Sequence, residues 1–570
     1  MSIEDKISSF IKDMGYLNNE HVLGVFFYGS YLTGLNTENS DIDLHVIFDN
    51  EDPNHLIRGN KIVSGTRIEY FEKPLEDIYQ TVNEDYMTQN NATLTIFGTS
   101  KIIYAKDNQL KQLQEYVINK FSNPLPPLSD DEAREQVSIL NNRMEKLKKY
   151  AETDSPHFEH LYHLTIDKIR RFYHNLMGIP RIETSKGFRL YTDEKYRNAF
   201  RINKIPEQIF VEMYFKLISD TSLDKIHKYN LLNKMYEFTK RNVVLENDYR
   251  IPIKSRNDGF DVSIIEPTTI EKRDAIEIPP TTLKRILKFI KEMDYLNNEH
   301  CLGLIVYGSS LTGFNTNISD IDLHIVFDNE EPDRLIRGNK IIDGTKIEYF
   351  EKPIKDIYLE IENGYLNQNN ASFAIIGKGT IVFERNNKLS LLQQYALNRF
   401  STPMPCLSED DAREQVSIIN NRMDKLEKFA FENDPRFEHL SHLTIDKIRK
   451  FYHKSIGISK IPTSKVYRIY TDEDYRNSVY KENPELEFVN MYLNLITTNC
   501  VDKLQKLQMI KDFYNYATRN INLGNDYRIL IKSRNTGINQ KRWFEALSLK
   551  IIFSFIFRIV VFNIIKRFLV

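Results

Sequence analysis

Two aspartates separated by one residue, preceded by a glycine–serine pair, occur twice in this chain. The first copy reads Gly29-Ser30, then Ser40-Asp41-Ile42-Asp43-Leu44. The second reads Gly308-Ser309, then Ser319-Asp320-Ile321-Asp322-Leu323. Side chains two apart on a strand share a face. Asp41 with Asp43, and Asp320 with Asp322, therefore project as paired hard oxygen ligands suited to Mg2+. Two such ions can stabilise the attacking and leaving oxygens of an in-line displacement at phosphorus. Glycine admits close backbone approach, and a helix starting there would aim N–H groups at phosphate oxygens. The hydroxyls of Ser30 and Ser309 add donors. A third carboxylate comes from Thr66-Arg67-Ile68-Glu69-Tyr70-Phe71 and from Thr345-Lys346-Ile347-Glu348-Tyr349-Phe350. Glu69 and Glu348 can complete the metal site or accept a proton, while Glu72 and Glu351 fall on the opposite strand face.

Strands must hold these groups. Val22–Tyr28 and Leu302–Tyr307 are apolar runs ahead of each Gly-Ser, and Ile42–Phe48 carries the second aspartate of its pair. Leu94–Phe97 and Lys101–Tyr104 read as further short strands. After Pro124–Pro127 the pattern turns helical, with Ser129-Asp130-Asp131-Glu132 as a helix start. Helices are expected through Ala133–Tyr150, Phe158–Met177 and Glu207–Thr239, and again from Ser408. Gly29 and Gly308, Asp41 and Asp320, and Glu69 and Glu348 are each 279 positions apart, so a long unit is duplicated. The expected fold class is α+β: two tandem units, each a small mixed-sheet domain followed by a helical domain. The boundaries read as 1–125 and 126–253 for the first unit, a Pro-containing linker at 254–282, then 283–404 and 405–537, with an apolar tail at 541–570.

The Gly-Ser, Asp-x-Asp and Ile-Glu-Tyr segments resemble the DNA polymerase β-type nucleotidyltransferase superfamily. Within it they are most similar to bacterial aminoglycoside nucleotidyltransferases, which carry a Ser-Asp-Ile-Asp-Leu-like segment and a later Val-Glu-Val-like strand. In that family a helix ending in Gly is followed by Lys. Leu164–Gly178 with Thr184-Ser185-Lys186, and Leu443–Gly457 with Thr463-Ser464-Lys465, match in outline. The resemblance implies that Lys186 and Lys465 touch the triphosphate. It also implies Mg2+-dependent transfer of a nucleoside monophosphate, AMP from ATP, to a hydroxyl of a small molecule such as an aminoglycoside, hence antibiotic resistance. The alternatives are nucleotidylation of a protein or RNA end, and a nucleotide-binding sensor without turnover.

Other constellations are less specific. His160 and His163, repeated as His439 and His442, share a helix face but have no further Cys or His nearby for zinc; acceptor contacts and helix packing are the other readings. Glu159 and Glu438 can serve as bases. His45 and His324 follow the aspartates by two residues and so share their face. Arg134, Arg413, Arg143, Arg422, Arg250 and Arg528 can meet phosphate or form interdomain ion pairs. Lys+Arg 77 against Asp+Glu 79 gives net −2, without the basic footprint of a dedicated polymerase. The three cysteines are unpaired in spacing and Met1–Phe10 lacks a signal core, which suits the cytoplasm. Residues 546–570 form an apolar stretch with Lys550, Ser554 and Arg558 as a polar stripe, the pattern of attachment to a membrane surface.

Overall fold

The computed structural model describes residues 1–36, 40–220, 223–255, 257, 264–271, 276–308, 311, 320–479, 483–498 and 502–532. Ser309, Ser319, much of the 254–282 linker and the 541–570 tail lie outside these.

The apolar runs form strands because their β-branched and aromatic side chains fill both faces of a sheet. The first unit supplies β1 (Val22–Tyr28), β2 (Ile42–Phe48), β3 (Ile57–Val63), β4 (Thr66–Pro74), β5 (Lys101–Ala105) and β6 (Tyr249–Pro252). The second supplies β7 (Cys301–Tyr307), β8 (Ile321–Phe327), β9 (Ile336–Ile342), β10 (Thr345–Pro353), β11 (Thr380–Glu384) and β12 (Tyr527–Leu530). Two six-stranded sheets result, in the orders β12-β3-β4-β2-β1-β5 and β11-β7-β8-β10-β9-β6. In each sheet the strand bearing the second aspartate runs parallel to the strand bearing the glutamate, and the other pairings are antiparallel. These are mixed sheets, and the chain is α+β with two tandem units. The β3–β4 hairpin turns at Ser64-Gly65 and the β9–β10 hairpin at Asp343-Gly344, all four residues at positive φ, as a two-residue turn matched to strand twist requires.

The edge strands are exchanged. β6 closes the first unit's sequence but pairs with β9 of the second sheet, and β12 reciprocally pairs with β3 of the first. Arg528 on β12 grips Glu72 of β4 (2.6 and 3.2 Å), and Arg250 on β6 grips Glu351 of β10 with the same two distances. Glu72 and Glu351 are fully buried and also accept from Tyr16 and Tyr295. These arginines are interdomain anchors, and the opposite-face glutamates hold the exchanged strands.

Leu94–Gly98 is a π-helical turn rather than a strand; only Lys101–Ala105 joins the sheet. A short apolar run does not distinguish the two forms. Here Leu94 and Phe97 pack beneath the sheet against Phe26, Leu110 and Val117.

Each helical half has its own core. Its first long helix, Asp130–Glu152 or Glu409–Phe431, starts at a serine cap. Phe158–Met177 and Phe437–Ser455 follow and pack on each other, forming the seam between the units. Among the described residues, no helix is long and apolar enough to cross a membrane.

Candidate functional site

Asp43 and Glu69 sit side by side, in register on the parallel strands β2 and β4; Asp322 and Glu348 do the same on β8 and β10. Asp41 and Asp320 stand just ahead of their strands, so each sheet brings three carboxylates to one end. Gly29, at φ +89, lies against Asp43: a Cβ there would be 2.1 Å from Asp43 Oδ2. At Gly308, φ +85, a Cβ would be 2.3 Å from Asp322 Oδ2. Only glycine fits either place. Ser30 opens a single helical turn, Ser30–Thr33.

Burial and the neighbouring glutamate push Asp43 up to about 8, against the pull of Lys186. Asp322 is likewise raised to about 7 by burial, Glu348 and Asp320, opposed by Lys465 and Lys146. Carboxyls crowded this way need a cation to ionise together. The oxygen-only donor set, at the mouth of a packed sheet, fits a hard divalent ion. Glu69 is engaged by Arg58 (2.5 Å) and Glu348 by Arg337, so neither stands free as a base in this state.

Lys186 and Lys465 ride in the first turns of helices Thr184–Thr192 and Thr463–Thr471. Buried Arg170 fixes the first of these helices by binding Asp167 at 2.8 Å, while Thr184 Oγ1 donates to the same carboxylate at 2.8 Å. Arg449, Asp446 and Thr463 repeat the device.

Each site is completed by the opposite unit. In the second sheet, Lys346 donates to Asn142 of the first unit's long helix at 3.0 Å, and Asn142 reaches Glu348 at 3.5 Å. Lys146, one turn beyond Arg143, acts on Asp322 and Glu348. In the first sheet Arg67 binds both oxygens of Asp41 at 2.6 Å and comes within 3.8 Å of Asp424, from the second unit's long helix. The counterpart Lys346 meets Asp320 at 3.1 Å. Sequence reading singled out Arg143 and Arg422 but passed over Lys146 and Lys425. Their i+3 spacing on the same helix face was the available signal.

The histidines separate into two groups. His45 packs under the first site, stacked on Phe71 at 5.5 Å and edge-on to Phe97, and His324 lies beside Phe350. These rings support the sheet and, among the described residues, have no hydrogen-bond partner. His160, His163, His439 and His442 all meet at the seam, where His160 pairs with His442 (3.1 Å) and His163 with His439 (3.3 Å). Thus the further histidines missing from one copy come from the other. His163, His442 and Glu438 bring ligand atoms within 4.8 Å of one another. The two rings stack with 18° between planes, and Lys506 already holds Glu438. That arrangement is helix packing through hydrogen bonds. Glu159 is bound by Lys228 at 2.9 Å.

The nucleotidyltransferase domain family model matches the chain twice, over residues 5–121 and 283–371. Among solved structures, the chain is similar to a nucleotidyltransferase-like protein from Exiguobacterium sibiricum. Identity is 12%, with 42% of this chain and 74% of that chain covered at a TM-score of 0.26. No curated protein matches the chain.

Proposed function

We propose, from the premise that this chain carries two nucleotidyltransferase-family domains in tandem, that it transfers a nucleoside monophosphate, AMP from ATP, to a hydroxyl of a small amino-bearing acceptor such as an aminoglycoside. The observation that carries this reading is the in-register Asp43–Glu69 and Asp322–Glu348 pairs, each with a leading aspartate and a helix-borne lysine. Asp41, Asp43, Asp320 and Asp322, with Glu69 and Glu348 beside them, would hold Mg2+. When bound, the metal supplies charge neutralisation on the phosphates and activation of the acceptor oxygen.

The chain's own side chains do the remaining work. Gly29 and Gly308 let backbone and phosphate approach the aspartates. Ser30 and Ser309 donate hydrogen bonds to phosphate oxygens. Lys186 and Lys465 carry fixed positive charge to the α–β bridge, where negative charge builds as pyrophosphate leaves. Positioning and preorganised charge supply most of the acceleration. An amino-bearing acceptor is supported by the carboxylates that cross the seam, Asp424 beside Arg67 and Glu145 close enough to act on Lys346.

The test is pyrophosphate release from each of four NTPs with Mg2+ and a panel of aminoglycosides. Acceptor-dependent release with ATP is expected. Tight ATP binding with no release under any acceptor would select the sensor reading, and release only with a protein or RNA would move the acceptor class.

A further inference from the structure

The cations that cross the seam into the two sites are alike, but their neutralisation differs. At the first site Lys425 and Arg422 arrive from the second unit's long helix. There Glu183, just before the Lys186 helix, meets them at 3.3 and 3.6 Å. Lys425, Arg422 and Lys186 together hold this carboxyl down at about 2 despite its burial. At the second site the corresponding cations are Arg143 and Lys146, and the residue corresponding to Glu183 is Pro462. Among the described residues, no carboxylate lies within ion-pair distance of Arg143 or Lys146. Arg143 donates only to the Leu164 carbonyl, at 3.3 Å.

Cations with no carboxylate in ion-pair contact are open to a polyanion, which can pair with both of them. Where a carboxylate already sits, the polyanion must displace it, and the gain shrinks. Burial lowers Arg143 to about 10 and also lowers Lys146, with Lys465 and Arg143 adding to this and Asp322 and Glu348 opposing it. We infer that Glu183 is a resident substitute for phosphate that makes the two sites unequal. The second-domain site, with Asp320, Asp322, Lys465, Arg143 and Lys146, takes the nucleoside triphosphate tightly, and the first-domain site takes it weakly. This deepens the nucleotidyl-transfer reading and rests on it for the identity of the ligand.

Titration calorimetry of the full chain with Mg2+ and the non-hydrolysable α,β-methylene analogue of ATP tests it. Two binding events separated by about 10-fold or more are expected. Lys465→Ala should remove the tight event and Lys186→Ala the weak one. Glu183→Gln, which keeps the side chain's size, should tighten the weak event by about 10-fold and leave the tight one in place. Pro462→Glu should weaken the tight event by a comparable factor. Equal affinities in the wild type, or Glu183→Gln leaving the weak event unmoved, overturn the inequality alone. Absence of any binding by the wild type overturns the nucleotidyl-transfer reading together with it.

Discussion

The two sheets and the seam between them have diverged to different degrees. In the sheets, Gly29, Asp41, Asp43, Arg58 and Glu69 have identical counterparts in Gly308, Asp320, Asp322, Arg337 and Glu348. Where each site meets the opposite unit, some contacts differ (Arg67 against Lys346, Asp424 against Glu145, Glu183 against Pro462), while Arg143 and Lys146 match Arg422 and Lys425 and the seam histidines are repeated. A dimer of identical chains must change both copies of a contact at once. Here the same reciprocal strand exchange lies within one chain, so each side of the seam can change alone. At the strand ends the carboxylates are identical in both copies, and glycine alone fits beside the aspartate.

The strongest way to break this comparison is to remove the shared chemistry. Asp43→Ala combined with Asp322→Ala is expected to abolish pyrophosphate release while leaving the circular-dichroism spectrum folded. Full activity in that variant would sink the assignment. The single variants come next. If the seam has made the sites unequal, Asp322→Ala removes most of the turnover at limiting ATP and Asp43→Ala removes less than half. Equal losses would mean that divergence at the seam has no functional consequence.

Much of the site was legible in the sequence because its chemistry is local: Gly29, Asp41 and Asp43 lie close along the chain, and Glu69 lies on the next parallel strand. The exchanged strands were not legible. Tyr249-Arg250-Ile251-Pro252 is a suitable edge strand for either sheet, since its partners, residues 57–60 and 336–339, read Ile-Arg-Gly-Asn in both copies. Pairing across such a distance is decided by packing, not by local pattern. For the same reason Glu72 looked like a spare carboxylate until Arg528 was found on it. The histidines of one helix lacked partners only because those partners are in the other unit.

The seam can also be probed by pH. Burial holds His160, His163 and His442 below the usual imidazole value, and His439 down to about 3. They are neutral when folded, whereas the unfolded chain takes up protons below about pH 6.5. Stability is therefore present above that value and lost as pH falls, by up to about 1.4 kcal/mol per unit for each histidine. Asp43 and Asp322 act in the opposite direction, since their raised values make protonation favour the folded state. The Asp43→Ala, Asp322→Ala background removes that opposing contribution, leaving the seam histidines together with His45, His157, His174, His324 and His453, which burial lowers in the same way. In it, the midpoint of thermal unfolding should fall between pH 6.5 and 5.5, and His160→Gln with His439→Gln should flatten that slope. An unchanged slope would place the acid sensitivity elsewhere.

The smallest expected effect separates the two exchanged strands. Arg528 and Arg250 grip buried glutamates in the same way, but the support beneath differs. Glu351 also pairs with Arg334 at 2.7 Å, whereas Glu72 has His55 at 2.6 Å in that place. Removing one partner of a buried pair costs about 3–5 kcal/mol when the remaining charge has no other cation. Arg250→Ala leaves Glu351 with a permanent guanidinium, so its cost should be smaller, about 1–2 kcal/mol on the scale of charged hydrogen bonds. Arg528→Ala leaves Glu72 without a guanidinium, with the His55 ring beside it. Its cost should approach the full loss of a buried pair, about 3–5 kcal/mol. Urea unfolding of the two variants decides the matter. If both variants lose the same stability, the exchanged strands are held by their backbone pairing rather than by the buried ion pairs.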